Sequence, residues 1–303
     1  MIVCTRNRVS LLVDTLESLK KQALAREGYE VLVIDNASAD STHEVAERSL
    51  DQGGLRGRCV REQELGLNHA RNRGVAEAAG RIVAFLDDDA RADPTWLEAL
   101  VGAFSDEAPS GVGGRIELVW QTRPPLWQHR GYLRMLAWFD LGAERCRVDH
   151  YPYLVGTNMS FTRETFGRVG LFDPRFDRRG EDLLSMGDTE FCHRVVRSGG
   201  TLLYEPRALV RHVVPPERAR LSFLLRRSYS NGRSLCRLKA LRDDLDAKPS
   251  RPVALVRTVG NLLRQLKHRD PAESARLMSS IAWHLGYMRE AGSPGAQARR
   301  DHG

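Results

Sequence analysis

Two continuous apolar runs, each ending in acidic residues, constrain the fold of this chain more than any other feature. The run "VLVID" ends at Asp35, and the run "IVAFLD" ends at Asp87 and continues into Asp88 and Asp89. Short runs without polar interruption are typical of strands that are buried on both faces. Adjacent carboxylates repel one another, and it is costly to bury them unpaired. The pattern therefore predicts buried strands whose ends either face water or hold a cation.

Segments with helical spacing separate these runs. Predicted strands at "IVC", "YEVLVID", "LRGRCVREQ" and "RIVAFLD" alternate with predicted helices at "RVSLLVDTLESLKKQAL", "STHEVAERSL" and "LGLNHARNRGVAEAAG", the last closed by Gly80. A fourth helix is predicted to begin at Asp93 and Pro94. This alternation is typical of an α/β fold with a mostly parallel sheet flanked by helices. Only three residues precede Cys4, so we expect either that the first strand is short or that the given start lies too far downstream.

Polar clusters follow three of the predicted strands. They read "TRNR", "DNASAD" and "DDD". Ligands of such sheets bind at the carboxyl ends of the strands, so we expect the three clusters to meet at one edge. Asp87 and Asp89 lie two positions apart and would point the same way on a continuing strand. Two carboxylates together with the oxygens of a diphosphate are a suitable ligand set for Mg²⁺ or Mn²⁺, whereas a solvated turn is the simpler alternative.

Charge separates the last third of the chain from the rest. Residues 215–303 contain 18 Lys and Arg against 8 Asp and Glu, a net charge of +10, whereas the preceding residues sum to −3. The segment "RARLSFLLRRSYSNGRS" is basic and amphipathic, which makes an anionic membrane surface a candidate partner. A solvated helical face is the alternative. Aromatic residues there recur at helical spacing, so we expect no nucleic-acid partner.

Several functional classes lack their sequence signals. The five cysteines are scattered without a CxxC pair, which argues against a disulfide framework or zinc ribbon and fits a reducing compartment. The first residues do not resemble a signal peptide, and no apolar run is long enough to span a bilayer. Neither GxGxxG, GxxxxGK[ST] nor HExxH occurs. We therefore expect a cytoplasmic protein, with peripheral attachment to the inner face of the membrane as an open alternative.

A series of motifs in a fixed order now carries a resemblance. "CTRNR", "VIDNASAD", "HARNRGVAEAAGRIVAFLDDDA", "GTNMSFTRETF", "GDTEFCHRV" and "VRHVV" together resemble glycosyltransferase family 2. The resemblance implies the Rossmann-like GT-A fold, here with a C-terminal helical extension. It also implies an inverting, metal-dependent enzyme of the hexosyltransferase class that uses Mn²⁺ or Mg²⁺. The implied donor is a nucleotide-diphospho-sugar, with a UDP-sugar favoured.

The resemblance also assigns roles to individual residues. Those implied to contact the base, ribose or phosphates of the nucleotide are Cys4, Thr5, Arg6, Asp35, Arg71 and Asp87. Asp89 is implied as the main metal ligand, with Asp87 and His212 as further contacts of the metal or diphosphate. Asn158 is implied to face the donor sugar or the acceptor. We expect Asp88 to point away and to do neither.

The catalytic base has two candidate positions. Members of the family commonly carry Gly-Glu-Asp before a helix, and the helix "TEFCHRV" places Asp188 at that Asp, with Gly187 where the Glu is expected. We prefer Asp188 because the residues that follow it fix the register. A literal Gly-Glu-Asp occurs earlier, and its Glu181 and Asp182 could complete the acceptor site or supply the base instead.

The resemblance suggests three regions. Residues 1–110 are expected to bind the nucleotide-sugar, residues 111–215 the acceptor, and residues 216–303 to form a basic helical extension with a disordered tail. The acceptor stays open between a lipid-linked molecule, a cell-envelope component and a natural product. A catalytically inactive family member and a basic protein that binds membranes or nucleic acid are the alternative functions.

Overall fold

A computed structural model describes residues 1–52, 54–177, 183–241, 251–265 and 270–292. The chain divides into two compact units. The first consists of Met1–Val119, Ala137–Arg175 and Gly187–Val213, and the second of Trp120–Leu136, Phe176–Met186 and Val214–Gly303. The predicted division near residue 215 lies close to the boundary between Val213 and Val214, whereas position 110 lies inside the first unit. The roles expected for the three regions stay predictions.

The described residues form nine strands and ten α-helices. The strands are β1 (Ile2–Thr5), β2 (Val31–Asp35), β3 (Gly57–Arg61), β4 (Ile82–Asp87), β5 (Ala90–Ala92), β6 (Gly111–Trp120), β7 (Cys146–Arg147), β8 (Asn158–Thr162) and β9 (Leu202–Val214). The helices are α1 (Val9–Leu19), α2 (Thr42–Gln52), α3 (Leu67–Glu77), α4 (Trp96–Glu107), α5 (Arg130–Met135), α6 (Arg163–Val169), α7 (Gly187–Arg197), α8 (Leu221–Leu241), α9 (Arg251–Gln265) and α10 (Pro271–Ala291).

One sheet organises the first unit. Its strand order is β3-β2-β1-β4-β8-β6-β9-β5, with β7 paired to β9. The pairs β3-β2, β2-β1 and β1-β4 are parallel, whereas β8 runs antiparallel to β4 and to β6, and β5 and β7 run antiparallel to β9. The α/β fold predicted from the alternation is confirmed, and its parallel part consists of the four strands that the alternation identified.

Successive side chains of β2 enter two different hydrophobic cores. Val31 and Val33 belong to the cluster that contains Leu12, Leu16 and Leu19 of α1, whereas Leu32 and Ile34 belong to the cluster that contains the buried phenylalanines. A strand that is covered on both faces needs apolar residues at every position, because its side chains alternate between the faces. This burial explains the uninterrupted apolar run.

Phenylalanine rings fill the second of these cores. Neighbouring ring centroids lie 4.4 to 6.4 Å apart, within the range of favourable aromatic pairs. The rings come from β4, β8, α6, the segment after α6, and α7, in the order Phe85, Phe161, Phe166, Phe172 and Phe191. This core fixes α7 against the sheet, and the first turn of α7 carries Asp188.

Close contact between α8 and α10 characterises the second unit. A Cβ added at Gly232 would overlap the carbonyl oxygen of Trp283, and one added at Gly286 would overlap that of Tyr229. The Oγ atoms of Ser228 and Ser279 lie 2.7 Å apart between the same helices. The apolar residues of α8 are buried or half-buried, and its exposed residues are Ser222 and Arg226. The amphipathic face that suggested a membrane contact for α8 is therefore packed within the unit.

Two predicted helix boundaries differ from the structure. Helix α3 ends at Glu77 with Ala78 at its C-cap, not at Gly80, and α4 begins at Trp96 with Thr95 at its N-cap, not at Asp93. Strand β5 occupies the residues just before, which the sequence did not indicate. The predicted disordered tail lies outside the described residues. Within the described part of the chain, no helix is long and apolar enough to cross a membrane.

Candidate active site

The ends of β1, β2 and β4 lie side by side. In the parallel register Thr5 is paired with Asp35, and Cys4 is paired with Asp87. The backbone NH of Asn36 donates to the carbonyl of Thr5 at 2.9 Å, so the alignment continues beyond the strands. The first, second and fourth strands thus end together, and their polar clusters share one edge of the sheet.

Asn7 joins the loops after β1 and β2. Its backbone NH donates to Ser38 Oγ at 2.9 Å, and its side-chain oxygen accepts from the NH of Ala39 at 2.8 Å. Its φ of 52° lies in the left-handed region, which asparagine tolerates better than most residues. The chain reverses there, so Arg6 is exposed and Arg8 is half-buried.

Asp35 is 1% exposed and uses its two carboxylate oxygens differently. Oδ1 accepts from the NH of Ser38 at 3.0 Å. Oδ2 accepts no hydrogen bond from any residue that the structure describes, although His43 Nδ1 and Arg61 Nε lie 3.4 and 3.9 Å from it. A buried carboxylate oxygen without a donor is costly, which makes this atom suited to an incoming NH or OH group.

Asp88 is buried among polar partners. Its Oδ2 accepts from Thr5 Oγ1 at 2.7 Å, and its Oδ1 accepts from Arg8 Nη1 at 2.9 Å. The same Nη1 is 3.1 Å from Asp89 Oδ2. Asp88 was expected to point away from the cluster, but the structure turns it towards the end of β1, where one arginine bridges two adjacent carboxylates.

Charge and burial oppose each other at this bridge. Burial raises the pKa of Asp88 to about 6, with Arg8 opposing the rise and the charge of Asp89 adding to it. The carboxylate of Asp88 in turn raises the pKa of Arg8 above its usual value. Arg8 was not among the predicted site residues. The motif "TRNR" contained the signal, but the sequence could not show which arginine turns towards the acids.

Asp87 lies apart from the Arg8 bridge. Its Oδ2 accepts from Thr157 Oγ1 at 2.6 Å, and its Oδ1 is 4.0 Å from Arg71 Nη2. Arg71 is a buried residue of α3 whose guanidinium lies 5.5 Å from the centre of the Phe172 ring. The side chain of Asp87 is one-third exposed, so this carboxylate can reach a ligand while Arg71 balances its charge.

Asp89 and His212 form the pair most suited to a cation. His212 Nε2 lies 3.1 Å from Asp89 Oδ1, and both side chains are 4% exposed. The pairing of β5 with β9 aligns them, since Ala90 is paired with His212. No group of three or more His, Cys, Asp or Glu side chains among the described residues has the arrangement of a metal site. The two donors fit a cation that takes its remaining ligands from phosphate or water.

Asp188 is held at the first turn of α7 by backbone NH groups. Its Oδ2 accepts from Gly156 at 2.9 Å, and its Oδ1 accepts from Thr189 at 2.8 Å. A Cβ added at Gly156 would overlap Arg71 Nη2 and lie 3.2 Å from Asp188 Oδ2. Glycine at this position leaves room for the end of the Arg71 side chain near Asp188. Asp188 is half-buried.

Gly187 occupies the position at which a glutamate was expected. A Cβ there would overlap the side-chain amide of Asn68, whose Nδ2 donates to the carbonyl of Asp173 at 2.9 Å. The departure from the expected motif therefore has a local cause, because Asn68 fills the space that the side chain of a glutamate would need.

Asn158 is 1% exposed, and its hydrogen bonds are internal. Its Nδ2 donates to the carbonyls of Ala208 and Arg115 at 2.8 and 3.2 Å, and its Oδ1 accepts from Trp96 Nε1 at 2.9 Å. The expectation that this side chain faces a donor sugar or an acceptor finds no support here, since its amide joins β8 to β6, β9 and α4. Glu181 and Asp182 lie outside the described residues.

The sequence profile of Glycosyl transferase family 2 matches residues 1–170, which is more than half of the chain. The chain belongs to this family. The matched part of the glycosyltransferase includes Asp35, the three aspartates at the end of β4 and Asn158, and it ends before Asp188 and His212. The resemblance that the motifs suggested is thereby confirmed.

A curated relative and two solved structures resemble this glycosyltransferase. The "Glucosyl-dolichyl phosphate glucuronosyltransferase" of Haloferax volcanii is 25% identical over 238 residues, which cover 77% of this chain and 75% of the relative. The mannosyltransferase PcManGT of Pyrobaculum calidifontis, solved with GDP-Man and Mn²⁺, has a TM-score of 0.59 at 22% identity over 99% of this chain and 77% of that chain. GalNAc-T7, solved with UDP, GalNAc and Mn²⁺, has a TM-score of 0.57 at 19% identity over 82% and 51%. These likenesses support the GT-A fold.

Proposed function

We propose that this glycosyltransferase moves a sugar from a nucleotide-diphospho-sugar to an acceptor hydroxyl, with inversion at the anomeric carbon and with a UDP-sugar as the favoured donor. One observation carries the proposal: the ends of β1, β2 and β4 share an edge that contains Asp35 and Asp87, and Asp89 lies two residues beyond Asp87. Such an edge offers separate acidic groups to the nucleoside and to the diphosphate of one extended ligand.

The nucleoside is proposed to bind beside β2. Asp35 Oδ2 is buried and accepts no hydrogen bond from the described residues, so a base NH or a ribose hydroxyl would satisfy it. Thr5 and Arg71 complete the proposed nucleotide contacts together with the more accessible Cys4 and Arg6. GDP-Man occurs in one related structure and UDP in another, so the preference for UDP is the finer part of the proposal.

Asp89 and His212 are proposed to hold Mn²⁺ or Mg²⁺, with Asp87 as a further contact of the metal or ribose. A carboxylate and an imidazole suit Mn²⁺, and two related structures contain it. A divalent cation bound there would offset the charge of the departing diphosphate. Arg8, which already contacts Asp89, adds a fixed positive charge to the same region.

Asp188 is proposed as the general base. Its carboxylate would take the proton of the acceptor hydroxyl while the oxygen forms a bond to the anomeric carbon and the bond to the diphosphate breaks. The electron pair of the broken bond leaves with the nucleoside diphosphate, and no covalent enzyme intermediate forms. The two backbone NH groups that hold Asp188 orient it for this transfer.

A donor screen with matched variants tests the proposal. Thermal stabilisation and transfer are measured for UDP-, GDP- and dTDP-sugars with and without Mn²⁺, in the wild type and in Asp188→Asn, Asp89→Asn and the surface control Asp14→Asn. Asp188→Asn should lower transfer by about 10²–10⁴-fold and keep the donor-dependent stabilisation. Asp89→Asn should lose the Mn²⁺-dependent part of that stabilisation.

Two results would contradict parts of the proposal. Wild-type transfer by a folded Asp188→Asn protein would remove Asp188 as the base and turn attention to Glu181 and Asp182. Donor stabilisation without transfer to any acceptor would favour the catalytically inactive alternative, for which the absence of a glutamate at Gly187 is the specific observation.

A lipid-linked sugar is the proposed acceptor class. The relative from Haloferax volcanii covers most of this chain, and its name specifies a dolichyl phosphate glucoside. All five cysteines are free, which suits a reducing compartment, and we therefore propose that the reaction takes place in the cytoplasm. Parallel assays with short-chain polyprenyl phosphate sugars and with small soluble hydroxyl compounds distinguish a lipid-linked acceptor from a natural product.

A further inference from the structure

Helix α9 packs on its neighbours through small and polar residues. Ala254 is fully buried, and Thr258 is 4% exposed with its Oγ1 donating to the carbonyl of Ala254 at 2.9 Å. One helical turn further on, Asn261 Nδ2 donates to Ser280 Oγ of α10 at 2.6 Å. These residues recur at intervals of four and three positions and therefore form one face. Among the side chains of residues 253–264, no large apolar residue lies on the inward face of α9.

The large apolar residues of α9 lie on its outer side. Val256 is 71% exposed and Leu263 is 60% exposed. Helical spacing places five exposed aliphatic residues along one stripe, which we name the α9 stripe: Leu255, Val256, Val259, Leu262 and Leu263. The usual arrangement of an amphipathic helix in a soluble protein is thus reversed.

The α9 stripe is unusual within its own unit. Helix α8 exposes no large apolar residue, and α10 exposes Leu285 alone among its described side chains. Scattered single leucines are normal on a protein surface, but a continuous stripe of five marks a surface that contacts something apolar. An explanation is therefore needed for α9 and not for its neighbours.

Charge identifies the kind of partner. Arg257 and Arg264 are exposed at the border of the outer side of α9, roughly 80–100° around the helix axis from Val256, and the sequence of α9 contains no acidic residue. Two copies of the chain packed stripe to stripe would offer these arginines no carboxylate from the partner's α9. An anionic lipid surface instead offers acyl chains to the aliphatic residues and negative head groups to the arginines.

We propose that the α9 stripe binds the surface of an anionic membrane, with the helix axis parallel to the bilayer plane. The aliphatic side chains enter the boundary between head groups and acyl chains, and the stems of Arg257 and Arg264 extend to the lipid phosphates. The membrane contact predicted from the amphipathic pattern of α8 is thereby assigned to α9. The inference does not depend on the roles proposed for Asp89 or Asp188.

Vesicle flotation of the full-length protein tests this assignment. Vesicles of phosphatidylcholine alone are compared with vesicles that also contain phosphatidylglycerol, at low and at high salt. Leu262→Asp is the test variant, and Leu285→Asp is its control, because the two leucines are 48% and 47% exposed on helices of the same unit. Leu262→Asp should weaken binding to the anionic vesicles by about tenfold or more, and Leu285→Asp should leave it unchanged.

Two further measurements complete the test. Replacing Arg257 and Arg264 by Gln should reduce both the binding and its dependence on salt. Circular dichroism melting of each variant verifies folding, and donor hydrolysis without vesicles shows whether the catalytic proposal holds independently. Equal loss in the two leucine variants, equal binding to neutral and anionic vesicles, or a dimer that Leu262→Asp dissociates would each overturn the inference.

Discussion

The end of β4 and the contact between α8 and α10 both combine close packing with buried charge, but with opposite ratios of acidic to basic groups. At β4, Asp88 and Asp89 share one arginine in a buried position, an arrangement that retains charge at a cost in stability. Between α8 and α10, Gly232 and Gly286 bring two backbones together, and Arg233 and Arg237 of α8 both pair with the buried Glu290 of α10. The difference teaches that the end of β4 retains more acidic than basic groups, whereas the one carboxylate between the helices is paired with two arginines.

The largest effect is expected from Gly286→Ala. A methyl group there would overlap the carbonyl oxygen of Tyr229, and backbone cannot move aside as a flexible side chain can. Overpacking of this kind should lower the free energy of unfolding by about 3 kcal/mol, measured by urea denaturation.

Gly260→Ala is the matched control, because Gly260 lies within α9 and a Cβ there would meet no atom within 4 Å. Replacing an open helical glycine by alanine should stabilise by about 0.5–1 kcal/mol. Equal effects of the two substitutions would show that the helices are not packed as closely as the structure indicates.

The second effect concerns pH. The pKa of Asp88 rises from 3.8 to about 6 on folding, so the unfolded chain releases this proton first as pH increases. The stabilisation that the protonated Asp88 contributes to the folded state is therefore fully present below pH 4 and is lost as the pH rises through about 6. In the metal-free protein, this should lower the free energy of unfolding by about 2–3 kcal/mol across that window.

Asp88→Asn isolates this contribution, since the side-chain amide does not titrate. The difference in stability between the wild type and Asp88→Asn should change between pH 4 and pH 6, whereas the difference between the wild type and the surface variant Asp14→Asn should change little. Parallel pH profiles for all three proteins would contradict the assignment of the raised pKa to Asp88.

Arg8→Met tests how much the single arginine at the end of β4 stabilises the two carboxylates that it contacts. The substitution keeps much of the aliphatic stem and removes the cation between Asp88 and Asp89. Because Arg8 is about one-third exposed, the expected loss at neutral pH is about 2 kcal/mol, below that for a fully buried ion pair. Arg91→Met, which breaks an exposed pair with Asp14, should cost less than about 1 kcal/mol in the same denaturation experiment.

The smallest effect is expected from Trp96→Phe. It removes the Nε1 donor to Asn158 Oδ1 and should cost about 1–2 kcal/mol, because a buried oxygen loses its partner. If Asn158 acts only within the protein, the Michaelis constant for the donor should stay at the wild-type value. A large rise in that constant, with little loss of stability, would restore the expectation that Asn158 contacts a substrate.

The parallel part of the sheet was predictable because its signal is local. Each of β2 and β4 is an uninterrupted apolar run, and each is followed by acids, so chain order alone placed Asp35 and Asp87 at one edge. Parallel strands that follow one another through helices have few alternative arrangements. The acids of the site were therefore accessible to sequence reasoning, although their individual partners were not.

The remaining features depend on contacts between distant residues. Strand β5 has three residues, too few for a recognisable period, and it forms by pairing with β9 more than a hundred positions later. Asn158 follows a glycine and a threonine in a typical site motif, yet its amide is used by Trp96 and two carbonyls. For α9, the helical spacing of the apolar residues predicted a helix but could not show which face would be turned outward.

Asn7 connects two loops of the candidate active site. It is fastened to both Ser38 and Ala39, and it separates an outward arginine from the inward Arg8. The hydrogen bonds of Asn7 thus connect the loop after β2 with the residue next to Arg8, whose guanidinium lies between Asp88 and Asp89. A change in the loop beside Asp35 would therefore act on the residue next to Arg8, whose guanidinium contacts Asp88 and Asp89.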